Sequence, residues 1–317
     1  MQNQYHNKNS DHFEDEIDFK ELFYVLLSGK WIIISVTGFM STVAVIYSLL
    51  LPNIYESTAL LVPVNSSNNI SGAIRNYSGL AGFAGINITP GEDEGNSTKA
   101  QHKLSSLSFF EDSILKNIYL PNLMALKSWI PETNTLVYDK KIFDQNKNLW
   151  VRKYSFPQQQ IPSAQESFEV FITNHLTISE DKETGFIYLS IKHKSPYIAK
   201  YWVELIINQI NSFYRQKDKA ESEKAVSYLN KQISITGLSE IQQVIAELLQ
   251  EETKKLTLIE ANESYVFDYI DPPALMELKS EPNRAVICIL LAIMGGIMGS
   301  IIVIIRHYFF IEKDFKI

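Results

Sequence analysis

The sequence predicts an α+β protein anchored in a membrane: a mixed strand and helix base carries a long projecting helix, flanked by two transmembrane helices. Three observations carry this expectation. Two uncharged apolar runs, residues 31–51 and 285–305, stand near the ends of the 317-residue chain. As a helix each spans about 31 Å, close to the hydrocarbon thickness of a bilayer. Between them lie short alternating segments of strand type and, from Pro196, an extended helical pattern.

The charge around the runs sets a topology. Lys20 and Lys30 precede the first run, and Arg306, Lys313 and Lys316 follow the second. No Lys or Arg lies between Pro52 and Ile74, and only Lys279 and Arg284 lie just before the second run. The positive-inside rule then makes residues 1–30 and 306–317 cytoplasmic tails and places residues 52–284 outside. The first run exceeds the ~7–15 residues of a signal-peptide core and lacks a small-residue cleavage site, so it reads as an uncleaved anchor. Cys288 is the only cysteine and lies in the second run, so no disulfide framework holds the outer segment. A net charge of −7 argues against general binding to nucleic acid or anionic lipid.

In chain order, residues 16–30 place Ile17, Leu22, Val25 and Leu26 at helical spacing, with Asp18 as N-cap and Glu21 completing a capping box. Beyond the membrane-proximal Pro52, Tyr55 to Val64 reads as a strand, with Pro63 at an edge or its end. Residues 65–99, dense in Gly, Ser and Asn, read as a loop. Leu104, Leu107, Phe110, Ile114, Leu115 and Ile118 predict a helix over 102–129, broken or kinked at Pro121. Residues 131–163 read as irregular, with Trp150, Tyr154 and Phe156 pinning them to a core. Residues 175–193 alternate on both sides of a DKETG turn and predict a hairpin.

Ser195 and Pro196 form an N-cap and first helical position. The helix they open is expected over about 196–260, interrupted at Gly237. Its segment 215–224, RQKDKAESEK, is strongly polar. A rod with such a middle must project into water or pair with neighbouring chains. Residues 264–271 read as a returning strand. Pro272, Pro273 and Pro282 then make 272–282 a stiff proline-rich linker into the second run.

Catalytic patterns are missing: the sequence has no Walker motif, zinc-protease helix, nucleophile elbow or cysteine cluster. The expectation is therefore a non-enzyme with no catalytic residues, no cofactor and no metal. His175 and His193 can meet across the hairpin, although two surface histidines are the ordinary reading. In the second run, Gly295 and Gly299 share one helix face and form a candidate transmembrane packing surface, with Gly38 and Thr42 of the first run as candidate partners.

Taken together, three segments carry a family resemblance. They are EIDFKELFYVLLSGKWIIISVTGFMSTVAVIYSLLLPNIYESTALLVPV (16–64), SGLAGFAGINI (78–88) and DPPALMELKSEPNRAVICILLAIMGGIMGSIIVIIRHYF (271–309). The chain resembles the Wzz-type chain length determinants, polysaccharide co-polymerases of Gram-negative inner membranes. The resemblance implies a periplasmic α/β domain between two inner-membrane spans, with both termini cytoplasmic, assembled as a ring- or bell-shaped homo-oligomer. It implies control over the modal length of lipopolysaccharide O-antigen, with the O-antigen polymerase and lipid-linked glycan as partners. Tyr214, Gln216, Tyr228 and Asn230 on the long helix are the candidates for touching glycan.

Longer relatives carry a kinase domain after the second span, whereas the 12 residues 306–317 hold no Walker motif. The other reading in view is an adaptor for capsule or exopolysaccharide export working with a separate kinase or transporter. A two-span sensor would need an output domain, for which tails of this size leave no room.

Overall fold

A computed structural model describes residues 19–64 and 96–308. The Asp18 cap and the Gly-rich residues 65–95 lie outside these, as does the side chain of Glu21. The chain opens with α1 (Phe19–Ser28) and α2 (Lys30–Leu50), then β1 (Tyr55–Pro63) and α3 (Asn96–Leu104). Short helical turns cover 107–117 and 120–124. Next come β2 (Leu126–Ile130), β3 (Thr135–Tyr138), β4 (Phe143–Asp144), β5 (Leu149–Trp150), α4 (Ala164–Asn174), β6 (Leu176–Glu180) and β7 (Ile187–His193). The long helix α5 (Pro196–Ile235) precedes α6 (Ser239–Ala261), β8 (Phe267–Asp271) and α7 (Arg284–Arg306). Pro52–Glu281 forms one compact unit, and the described parts of Met1–Leu51 and Pro282–Ile317 form another. The fold is α+β, with a long helix and two helices, α2 and α7, long and apolar enough to cross a membrane.

The Pro52–Glu281 unit is built on an antiparallel sheet of order β6-β7-β1-β8. Alternation decides its faces. Odd-numbered Tyr55, Ser57, Ala59 and Leu61 of β1 are buried, as are Ile187, Leu189, Ile191 and His193 of β7. They meet α5, whose buried Ala199, Trp202, Val203, Ile206, Ile207, Ile210 and Tyr214 recur at helical spacing. Asn211 ties this helix to β8: its amide accepts from Val266 N–H (2.8 Å) and Phe267 N–H (2.9 Å) and donates to Phe267 O (2.9 Å). Pro63 closes β1, where its missing N–H costs no ladder bond further along.

Several expectations change. The helix read over 196–260 is two helices, because Thr236 and Leu238 take extended backbone around Gly237. Then α6 folds back along α5, and Glu260 pairs with Lys219. The helix read over 102–129 ends at Leu104, since Ser106 starts a new turn by accepting Phe109 N–H (3.3 Å). Pro121 initiates the turn at 120–124, and 126–130 is strand. Residues 96–99 belong to α3. Within 131–163, Trp150 packs beside Phe143 (ring centroids 5.2 Å), but Tyr154 and Phe156 are exposed at 54% and 98% and pin nothing. Helix α4 is an addition: Ser163 caps it by accepting Glu166 N–H at 3.2 Å.

Candidate functional site

The first and last residues of the Pro52–Glu281 unit come together at one end of the sheet. Ile54 N–H donates to Glu281 O (2.9 Å), and Ile54 O accepts from Ser280 N–H (2.8 Å). The linker runs back beside β1 to reach this point. Pro273 is buried, Pro272 is exposed, and Ser57 Oγ donates to Ala274 O (2.8 Å). Ser280 Oγ also reaches Glu56 Oε2 at 3.0 Å. Lys192 Nζ bonds Glu281 Oε1 at 2.6 Å and lies 4.0 Å from Glu56. Glu281 raises the Lys192 pKa mainly through that hydrogen bond, against the opposing effect of partial burial.

Tyr55 is buried at the start of β1, and Pro52 is exposed before it. The Tyr55 ring meets Trp129 edge-on at 5.4 Å, and Trp129 meets Tyr197 at 6.2 Å. Lys194 Nζ donates to Leu126 O, so β2 is tied to the same end of the sheet. Sequence patterning does not mark Trp129, because an aromatic on a short strand next to a polar turn has no periodic signal, nor Tyr197, which lies off the buried face of α5.

Across the β6–β7 hairpin, His175 and His193 do meet, with ring centroids 5.6 Å apart. His193 is buried and His175 half-buried, so neither is a surface group. Trp202 of α5 stacks at 4.9 Å from His193 and 5.5 Å from His175. His193 Nδ1 accepts Ser195 N–H (3.0 Å), which assigns the proton to Nε2, facing Asn122 O at 3.2 Å. His175 Nδ1 faces Lys192 O at 2.6 Å. These contacts engage the rings with backbone, and no group of three metal-ligating side chains exists among the described residues. Burial lowers the His193 pKa to about 3, aided by His175, and burial lowers His175 to about 4.

In the other unit, Gly295 and Gly299 lie in the seam between α7 and α2. A Cβ on Gly295 would stand 2.9 Å from Met40 Cβ and 3.0 Å from Thr37 Cα; one on Gly299 would stand 2.9 Å from Ile33 Cα. Gly38 has open space around it, and Thr42 donates to Gly38 O (2.9 Å), so neither forms the seam. Gly29 does approach closely: a Cβ there would collide with the Val303 side chain. Pro282 precedes Asn283, whose side chain accepts Val286 N–H (3.4 Å) and caps α7.

On the long helix, Tyr214 is buried and unavailable to a glycan, whereas Gln216, Tyr228 and Asn230 are exposed. Tyr265 OH donates to Asp218 (2.6 Å), and burial raises the Tyr265 pKa first, with this bond adding to it.

Residues 15–111 match the family model described as Wzz, chain length determinant protein. The match covers the first span, β1 and the SGLAGFAGINI stretch, so two of the three resemblance motifs fall within it. No curated protein matches the chain. Among solved structures, a full-length bacterial polysaccharide co-polymerase is 15% identical over 94% of this chain and 99% of that one, with a TM-score of 0.39. A fragment of WzzB, a polysaccharide co-polymerase from Salmonella Typhimurium, is 14% identical over 72% of this chain and 100% of that one, with a TM-score of 0.29. The family likeness therefore rests on the sequence of residues 15–111.

Proposed function

We propose that this chain, Wzz-like over residues 15–111, is a non-enzymatic regulator that sets the modal length of lipopolysaccharide O-antigen. The family match is the observation that carries this reading. On this reading α2 and α7 span the inner membrane and both termini are cytoplasmic, as the lysines and arginines beside the apolar runs favour. The Pro52–Glu281 unit is periplasmic and works with the O-antigen polymerase and its lipid-linked glycan. A ring-like homo-oligomer is favoured by exposed apolar side chains on the α5–α6 pair: Tyr228, Ile235, Leu238 and Leu258 are each at least half exposed in the single chain.

The test is to delete the gene and resolve the lipopolysaccharide ladder on a gel. Loss of the modal band cluster, with short and random lengths in its place, is expected. A ladder of unchanged distribution overturns the reading, and loss of capsule or exopolysaccharide instead would move the function to export.

A further inference from the structure

The four-stranded sheet ends in two edges, β8 and β6, and the chain treats them differently. At β8 the outward backbone is already taken. Val64 N–H donates to Val266 O (2.8 Å), which turns the backbone groups of the next residue, Phe267, away from β1. Asn211 of α5 accepts Phe267 N–H (2.9 Å) and donates to Phe267 O (2.9 Å). Asp268 accepts Tyr269 N–H (2.9 Å). An irregularity in the pairing with β1, and then Pro272 and Pro273 without N–H groups, end this edge.

At β6 the edge is open. His175 O accepts Lys192 N–H (2.9 Å) and Asp181 N–H donates to Phe186 O (2.9 Å), at the two ends of the pairing with β7. Alternation in an antiparallel ladder then directs the odd-numbered residues to β7 and turns the N–H and C=O of Leu176, Ile178 and Glu180 outward. Among the described residues, nothing bonds to these outward groups. The strand keeps unbroken register with β7, and LTISE holds no Pro, Gly, Lys or Arg. Those residues, or a bulge, are how sheets blunt a free edge.

The strand is also complementary to itself. Turned antiparallel about Ile178, two copies bring Ile178 against Ile178, Leu176 against Glu180, and Thr177 against Ser179. Every outward N–H and C=O of both strands is then bonded. Glu180 and Asp181 of one copy lie at the opposite end from those of the other, so no like charges stand face to face. A slip of one pleat either way leaves Leu176 or Glu180 without a strand opposite. On one side α4 ends at Asn174; on the other, Gly185 N–H closes a turn on Asp181 O (2.7 Å).

We propose that β6 is a docking edge for a second copy of this chain, joining two four-stranded sheets into one through antiparallel β6–β6 pairing about Ile178. The contact is two-fold, so it closes after two copies. It uses no residue of the α5–α6 pair and is independent of which glycan is regulated.

The test uses two differently tagged full chains in a Cys288→Ala background, one with Thr177→Cys and the other with Ser179→Cys. They are co-expressed and oxidised with copper phenanthroline in the membrane fraction. Thr177 and Ser179 are exposed, so neither substitution disturbs the core. In the proposed register the two cysteines are directly opposite at about 4.5 Å between Cα atoms, within disulfide reach. Identical positions stand diagonally, about 7–8 Å apart, beyond it. A mixed-tag disulfide dimer several-fold above the dimer yield of either variant expressed alone is expected. Absence of the mixed dimer overturns the proposal. So do equal yields from all three expressions, which is random collision. A glycan ladder that changes on gene deletion, together with no mixed dimer, overturns this contact and leaves the proposed function standing.

Discussion

His193 receives Ser195 N–H just ahead of α5, so its neutral ring is part of how the long helix begins. Burial against Trp202 holds both histidines neutral, and Lys192 and Lys194 nearby add no negative charge to favour protonation. The folded pKa values, about 4 and about 3, lie below the ordinary 6.5. The stability these rings contribute is therefore complete above pH 6.5 and is lost as pH falls through that value toward 4 and then 3. Each tenfold weakening of proton affinity on folding corresponds to about 1.4 kcal/mol. Thermal unfolding of the detergent-solubilised protein should show a steep fall in Tm from pH 7 to pH 4.5. His175→Asn with His193→Asn should flatten that slope, and an unchanged slope would assign it to carboxylates elsewhere. The hairpin that brings the two rings together was legible from alternation and a DKETG turn. Their burial was not, because it depends on Trp202 arriving from a helix with its own separate periodicity. Tyr154 and Phe156 mislead for the complementary reason: composition says aromatic, and only the Arg152–Glu166 pair reveals that they face outward. The Ser163–Glu166 spacing that starts α4 was the available signal there.

At the scale of elements, close approach of α2 and α7 depends on backbone rather than on side chains. Gly295 and Gly299 place α7 against Thr37, Met40 and Ile33, and any Cβ there would force the pair apart. Gly295→Leu with Gly299→Leu should separate the helices. Cysteine pairs placed across the seam should then lose most of their cross-linking, with the protein still in the membrane fraction and the O-antigen ladder shifted. Retained cross-linking would show that the seam tolerates side chains. The G-x-x-x-G was legible in the sequence. Its partner was not, because Gly38 and Thr42 share the spacing but face away, and Gly29 stands outside the apolar run. The break after α5 follows a similar pattern. Gly237 marked it, yet the return of α6 along α5 is fixed by tertiary partners such as Lys219 with Glu260 and Asp218 with Tyr265.

For the whole molecule, α5 alone runs about 60 Å over its 40 residues. Only its first half rests on the sheet; beyond Tyr214, Ser222 and Leu229 are the buried positions. A two-helix pair of this length exposing Ile235 at 68% and Leu238 at 61% is a surface awaiting burial. Ile235→Glu with Leu238→Glu should lower the subunit count or loosen the assembly in native mass measurements in detergent, while the monomer melts unchanged. An assembly of the same mass would place the contacts elsewhere. The two helices long and apolar enough to cross a membrane and the long helix α5 could be read directly from hydropathy and periodicity. The face by which the proposed oligomer would assemble could not, because polar-centred helices do not encode which face meets a neighbour.

The bonds between Ile54, Ser280 and Glu281 have a consequence for engineering. Because the Pro52–Glu281 unit begins and ends at adjacent backbone positions, it can be excised and transplanted as a cassette through a single point of the fold. Exchange of residues 54–281 with the matching segment of another chain of this fold would then disturb two neighbouring junctions and no strand of the sheet. Under the function proposed above, the recipient's glycan length would thereby report whether residues 54–281 or the rest of the chain set that length.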